Sequence, residues 1–260
     1  MRQPRGRLPN ERDTPPRSMG PGFDGLTICI LTHLARHVSV ARTLPPVVRA
    51  LVVSDEVEAG LCADPARPAA DLVVAAGDLP FDYLTELSDH VDRPGVLVPG
   101  NHDPDLSGYS QRSGMWLRAG MPARWPGPAG FVDADGRVVD VAGLRFAGLG
   151  GCVRYRPGPN QWTQAQQARR GRRLVRAARR RTRADGRPVD VLLTHAPPRH
   201  CGDRPDPPHH GFECLHEVVT ALRPRLLLHG HIHPYGEPVP DRMLGNTRVV
   251  NVVGRRMLEL

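Results

Sequence analysis

Pro99-Gly100-Asn101-His102-Asp103 follows the apolar run Val96-Leu97-Val98, and the reading of this stretch decides the fold. An aliphatic run that ends in Gly and then in Asn, His and Asp sets three polar side chains at a strand end, where open α/β sheets hold their sites. Alone, it is equally well explained as a turn, because Asn and Asp bond to their own local backbone. Four similar stretches change that balance. Asp55 ends Leu51-Val52-Val53-Ser54, Gly77-Asp78 ends Leu72-Val73-Val74-Ala75-Ala76, Thr194-His195 ends Val191-Leu192-Leu193, and His229-Gly230-His231-Ile232-His233 follows Leu226-Leu227-Leu228.

The segments between these stretches supply the frame. Val47 to Ser54 and Asp71 to Ala76 are nearly continuous in aliphatics, as parallel strands buried on both faces are. Pro80 opens a helix in which Leu84, Leu87 and Val91 recur at helical spacing, and Pro94-Gly95 stops it. These are βαβ units and predict a parallel sheet with right-handed crossovers. Tyr109 to Ala119 reads as a helix. Val138 to Val141 and Leu144 to Ala147, separated at Gly143, read as a hairpin and so as part of a second, partly antiparallel sheet. Thr163 to Arg183 is a helix with nine arginines and a narrow stripe of Ala165, Ala168, Gly171, Val175 and Ala178. Val189 to Thr194 and Arg225 to Leu228 are further strands, with a helix through Phe212, Leu215, Val219 and Leu222 between them, and Arg248 to Val253 closes the chain as a last strand. The predicted fold class is α/β.

Composition bounds the function. A chain of 260 residues buries one sizeable core. Its 35 basic residues are all arginine, and proline (28) and glycine (27) are plentiful, so the net charge of +8 reflects compositional bias more than a nucleic-acid partner. The arginine helix likewise reads as a solvated face, because no aromatic residues interleave to stack bases. The five cysteines, Cys29, Cys62, Cys152, Cys201 and Cys214, are odd in number and form no Cys-x-x-Cys pair, which points to the cytoplasm and away from a disulfide framework. No run approaches the roughly 18 apolar residues that a membrane span needs. Residues 1–46 read as a disordered or loosely packed arm and 47–260 as the working domain; His33 and His37 in the arm, four apart, read as incidental.

Asp55, Asp78, Asn101, His195, His231 and His233 form a mixed oxygen and nitrogen ligand set of the kind that suits Mn, Fe or Zn. Two such ions about 3.5–4 Å apart clamp an in-line displacement at phosphorus and acidify a bound water. Asp78, central among the strands, is the natural bridging carboxylate. Arg154, in the Gly150-Gly151-Cys152-Val153-Arg154-Tyr155 turn, is a candidate contact for a substrate phosphate, whose oxygens match a guanidinium fork. His229, His209, His210 and Cys201 read as structural or loop residues.

The ordered set Asp55, Gly77-Asp78, Gly100-Asn101-His102-Asp103, Thr194-His195 and Gly230-His231-Ile232-His233 resembles the calcineurin-like metallophosphoesterase family, over about Val47 to Val253. The resemblance implies a sandwich of two mixed β-sheets flanked by helices. It implies two divalent ions, manganese preferred, with Asp55 and His233 on the first, Asp78 bridging, and Asn101, His195 and His231 on the second. It makes His102 the catalytic histidine that meets the phosphoryl group and protonates the leaving oxygen, with Asp103 orienting its ring. The implied activity is hydrolysis of a phosphoester by metal-bound hydroxide, with a phosphodiester or small nucleotide-like substrate preferred over a phosphoprotein.

The chain departs from the family at one position. The first motif of the family is Asp-x-His, and here it reads Asp55-Glu56-Val57. Valine cannot ligate. Either the first site is weak and completed by water, or Glu56, Glu58 or a residue of the His200 to His210 loop replaces the histidine, or the site stays empty; two ions with a weaker first site is the preferred reading. The alternative function is a catalytically weak or inactive metal-binding module of the same fold that holds an anionic partner on the arginine helix.

Overall fold

The computed structural model describes residues 47–237 and 239–260. The amino-terminal arm, the His33 and His37 pair and Cys29 lie outside the described residues. Two mixed sheets carry the fold. The first runs Gly254–Glu259, Arg49–Ser54, Leu72–Ala75, Gly95–Leu97, Phe131–Asp133 in spatial order, parallel except for Gly254–Glu259. The second runs Arg242–Leu244, Thr247–Asn251, Leu226–His229, Val191–Thr194, Leu144–Leu149, Val138–Val141, with parallel pairing inside and an antiparallel strand at each edge.

Strand periodicity explains the layering. Ala50, Val52, Leu72 and Val74 point from the first sheet into a shared core with Val191, Leu193 and Leu228 of the second. Their neighbours Leu51, Val53, Val73 and Ala75 face the other way, onto Leu84 and Leu87 of the helix Phe81–Val91. Leu192 and Leu227 face Leu174 and Leu215, on the helices Gln164–Asp185 and Cys214–Leu222. Every residue of Leu72–Ala75, Gly95–Leu97, Val191–Thr194 and Leu226–His229 is therefore buried, which is why their sequences are apolar without alternation. The long helix starts with a capping box: Gln166 N–H donates to Thr163 Oγ1 (3.1 Å) and Thr163 N–H to Gln166 Oε1 (2.9 Å).

Three expectations need correction. Tyr109 to Ala119 is a hairpin, Tyr109–Arg112 paired antiparallel with Met115–Arg118. Ser113 and Gly114 both take positive φ (51° and 78°), the two-residue turn whose twist matches that of paired strands, and a helical reading passed over it. On the arginine helix, Ala165 is exposed and the buried positions are Gln167, Gly171, Leu174 and Ala178, one of them polar because Gln167 Nε2 donates to the Gly150 carbonyl at 3.2 Å. The chain does not close at residue 253: after Thr247–Asn251 it crosses to the first sheet, where Gly254–Glu259 pairs with Arg49–Ser54. Its two adjacent arginines, exposed Arg255 and half-buried Arg256, mask the strand pattern.

Arg145 is fully buried in the strand Leu144–Leu149, with its guanidinium held by Asp140 (2.8 and 3.1 Å), Asp185 (3.0 and 2.6 Å) and the Arg187 carbonyl (2.9 Å). The hydrogen bonds from Arg145 hold both carboxylates below the ordinary carboxylate range. Depressed carboxylate pKa values stabilise the fold above the unfolded value, near 3.9, and that contribution is lost as pH falls through the depressed values. Arg145→Met is expected to lower stability by about 2–3 kcal/mol at neutral pH, with a loss that shrinks below about pH 4. Urea unfolding at pH 7 and pH 3 checks both; an equal loss at the two pH values would contradict the ion-pair account.

Candidate metal centre

All the motif residues lie where strands of the two sheets end. Asp55 follows Arg49–Ser54, Asp78 follows Leu72–Ala75, Asn101 and His102 follow Gly95–Leu97, His195 follows Val191–Thr194, and His231 and His233 follow Leu226–His229. The backbone turns hard at these ends. Asp55, Asp78 and His231 take φ of 63°, 58° and 68°, in the left-handed region that side chains other than Gly rarely adopt. Asp55 and His231 each sit in the middle of a three-residue turn, closed by Glu56 N–H to Ser54 O (2.7 Å) and Ile232 N–H to Gly230 O (2.8 Å). His231 N–H then donates to Asp55 Oδ2 (2.9 Å), tying the two turns together across the sheets.

One ligand atom from each of Asp55, Asp78, His195 and His231 lies within 4.8 Å of the others. His195 is completely buried, and its Nδ1–H donates to the Ala76 carbonyl at 2.8 Å. That leaves Nε2 as the nitrogen that faces Asn101 Oδ1 at 3.1 Å and Asp78 Oδ2 at 3.2 Å. With Nε2 unprotonated, three acceptors converge there, an arrangement that a cation relieves, so the residues fit a divalent ion. His231 follows the same logic with its nitrogens exchanged. Its Nε2–H donates to the Pro208 carbonyl at 2.8 Å, leaving Nδ1 free.

The electrostatics agree. Burial drives the His231 imidazole down to about 3, with His195 adding to it, so it is neutral at physiological pH as a ligand must be. Burial also pushes His195 down, but the Asp78 carboxylate more than reverses this and raises it to about 9. The field that draws a proton to Nε2 is the field that would hold a metal there, and the two compete for one place. Asp78 sits at about 2, because His195 and the N–H of His102 outweigh its burial, whereas burial raises Asp55. His229, off the motif, is buried and donates from Nδ1 to the Gly230 carbonyl at 2.9 Å.

His233 reaches Asp55 Oδ1 with Nε2 at 3.9 Å and Glu56 Oε1 with Nδ1 at 3.1 Å. His102 is exposed beside Asp78 on a cleft of about 420 Å³ lined also by Leu79, Pro80, Phe81 and Asp82. Among the described residues no hydrogen bond joins Asp103 to the His102 ring; Asp103 Oδ2 accepts from the backbone N–H of Gly100 (2.7 Å) and Asp78 (2.9 Å), so the carboxylate joins two motif loops. Among the described residues no hydrogen bond links Arg154 to this cluster; its guanidinium donates to the Gln161 carbonyl (3.2 and 3.3 Å) and Gln166 (3.3 Å), beside a separate cleft with Tyr155 and Arg156.

Asn160 had no signal in the sequence. It is buried, with φ of 50°, and Nδ2 donates to the Gly100 carbonyl (2.9 Å) and the Asp103 carbonyl (3.0 Å), bracing the loop that carries Asn101 and His102. Asn160→Ala leaves these carbonyls unpaired, and a stability loss of about 1–3 kcal/mol is expected together with a fall in kcat of about tenfold. Thermal unfolding alongside kinetics reads both; unchanged kcat would mean the loop holds its shape without this brace.

A family model for calcineurin-like phosphoesterases matches residues 48–235. No curated protein sequence matches the chain. Among solved structures, TT1561 of Thermus thermophilus aligns with a TM-score of 0.51 at 17% identity, over 80% of this chain and 90% of that one. A further crystal structure aligns with a TM-score of 0.52 at 14% identity, over 82% of this chain and 95% of that one. At such identities the likeness is one of fold.

Proposed function

The chain belongs to the calcineurin-like phosphoesterase family, the metal-dependent hydrolases of phosphoesters, and from that premise we propose that it cleaves a phosphodiester or small nucleotide-like ester at a centre of two divalent ions, manganese before iron or zinc. Asp55, Asp78 and His233 would hold the first ion, and Asp78, Asn101, His195 and His231 the second. The observation that carries this reading is the convergence of His195 Nε2, Asn101 Oδ1 and Asp78 Oδ2 on one place, which a proton or a cation can fill. When bound, the ions supply Lewis-acid polarisation of the phosphoryl oxygens and an acidified water.

The chain's own groups do the rest. The Ala76 and Pro208 carbonyls fix which nitrogen of His195 and of His231 is free. The His102 N–H, donating to Asp78 Oδ1 at 2.7 Å, keeps that carboxylate turned into the centre. The His102 imidazole, exposed on the cleft wall, would give its proton to the leaving oxygen. The volume of the cleft falls in the range of small-ligand sites, which supports a small ester as substrate. Among the described residues no helix is long and apolar enough to cross a membrane. Cys62, Cys152, Cys201 and Cys214 are all free, which supports a reducing, cytoplasmic setting.

His102→Ala separates catalysis from metal binding. Loss of a general acid is expected to lower kcat by about 10²–10⁴-fold with metal content unchanged, measured on bis(p-nitrophenyl) phosphate with added Mn²⁺. A variant that keeps full kcat would remove His102 from the mechanism. Arg154→Ala is expected to raise KM if the guanidinium reaches the phosphate, and an unchanged kcat/KM ends that role.

A further inference from the structure

We propose that Glu56 is a positioning residue for the first metal ion: its carboxylate holds the ring of His233 so that Nε2, on the opposite side of the imidazole, faces the ion beside Asp55. The inference rests on the metal-centre reading above and concerns what stands in for the histidine absent at Val57. The side chain of Val57 has no ligating atom, and the residue is 51% exposed.

The geometry around His233 separates a brace from a ligand. Glu56 Oε1 lies 3.1 Å from His233 Nδ1, a hydrogen-bond length, and a carboxylate only accepts, so Nδ1 carries the proton. The Nε2 lone pair is then free, 3.9 Å from Asp55 Oδ1. The Asp55 side chain is 3% exposed and that of Glu56 is 53% exposed, which places the first on the buried side of the ring and the second on the solvent side. The tight turn at Asp55 delivers both. Closed from Glu56 N–H to Ser54 O at 2.7 Å, with φ of 63° at its centre, it sets consecutive carboxylates against one imidazole. The other end of the ring's segment is fixed as well, because Arg204 Nη2 donates to the His233 carbonyl at 2.5 Å and Asn251 Nδ2 to the Ile232 carbonyl at 2.6 Å. A carboxylate on the far nitrogen makes an imidazole a more basic ligand in one tautomer, and that offsets part of what the missing histidine would contribute. Glu58 is engaged elsewhere, with Oε2 at 2.9 Å from Arg255 Nε.

The test is Zn²⁺ and Mn²⁺ binding to the full chain by calorimetry and elemental analysis, for wild type, Glu56→Ala, Glu56→Gln and Asp55→Ala. Glu56→Ala should weaken the first site by about 10–100-fold and leave the second unchanged. Glu56→Gln, which still accepts from Nδ1–H, should recover most of the loss. In the metal-free chain, ¹⁵N–¹H spectra should show the Nδ1–H tautomer of His233 in wild type and in Glu56→Gln, and a mixture in Glu56→Ala. Unchanged affinity and tautomer in Glu56→Ala would overturn the proposal, as would a loss as complete as that in Asp55→Ala, which would make Glu56 a direct ligand. A wild-type chain that binds no ion at either site would instead overturn the metal-centre reading itself.

Discussion

Asp78→Asn is expected to abolish phosphoester hydrolysis, with kcat/KM falling about 10⁴-fold, on the order of 5 kcal/mol of transition-state stabilisation. The reason is position. Asp78 belongs to the first sheet, yet its Oδ2 stands 3.2 Å from His195 Nε2 of the second, and a ligand atom from it groups with Asp55 and His231 as well. An amide keeps one oxygen to accept from His102 N–H, so the loop keeps its bond while the bridging charge is lost. The loss should appear in activity and metal content together, with the circular dichroism spectrum unchanged. Activity within threefold of wild type would mean that Asp78 does not bridge.

Gly100→Ala should be nearly as damaging without removing a single polar group. A Cβ there would stand 2.5 Å from Asp78 Cγ and 2.6 Å from Asp78 N, so the carboxylate has to move. Gly230 is hemmed in similarly, with Ser54 Cβ 2.9 Å from a Cβ built on it. A displacement of about 1 Å at such a centre costs on the order of 10²-fold in rate, and Gly100→Ala is expected to lose about that much in kcat/KM. Gly60→Ala, where nothing lies within 4 Å of the added carbon, is the matched control and should retain full activity. Equal activity in the two variants would show that the loop yields to the methyl group and that the close approach at Gly100 is incidental.

What the sequence discloses follows from burial. Strands sandwiched between a second sheet and a helix layer leave unbroken aliphatic runs, so Leu51 to Ser54, Leu72 to Ala76 and Val191 to Leu193 are visible as strands. Their polar ends, Asp55, Asp78 and His195, are visible because the pattern stops there. Features that depend on partners distant along the chain are hidden. Asn160 braces Gly100 from 60 residues away, and Asp103 gives its carboxylate to two backbone groups where the local motif suggests a neighbouring ring. Gly254–Glu259 is an edge strand whose adjacent arginines, one exposed and one half-buried, disguise its alternation. The vacancy left by Val57 is legible in the sequence; the neighbour at His233 is visible only once the turn at Asp55 swings Glu56 against the ring.

The central claim is a two-ion phosphoesterase, and metal content measured together with turnover tests it most directly. Purified chain would be loaded with Mn²⁺, dialysed, analysed for bound metal and assayed on bis(p-nitrophenyl) phosphate. The account predicts close to two ions per chain, one released more readily than the other, and hydrolysis that disappears on chelation and returns with Mn²⁺. One tightly held ion or none, with no turnover under any added divalent metal, would contradict it and favour a metal-binding module that keeps the fold without the reaction.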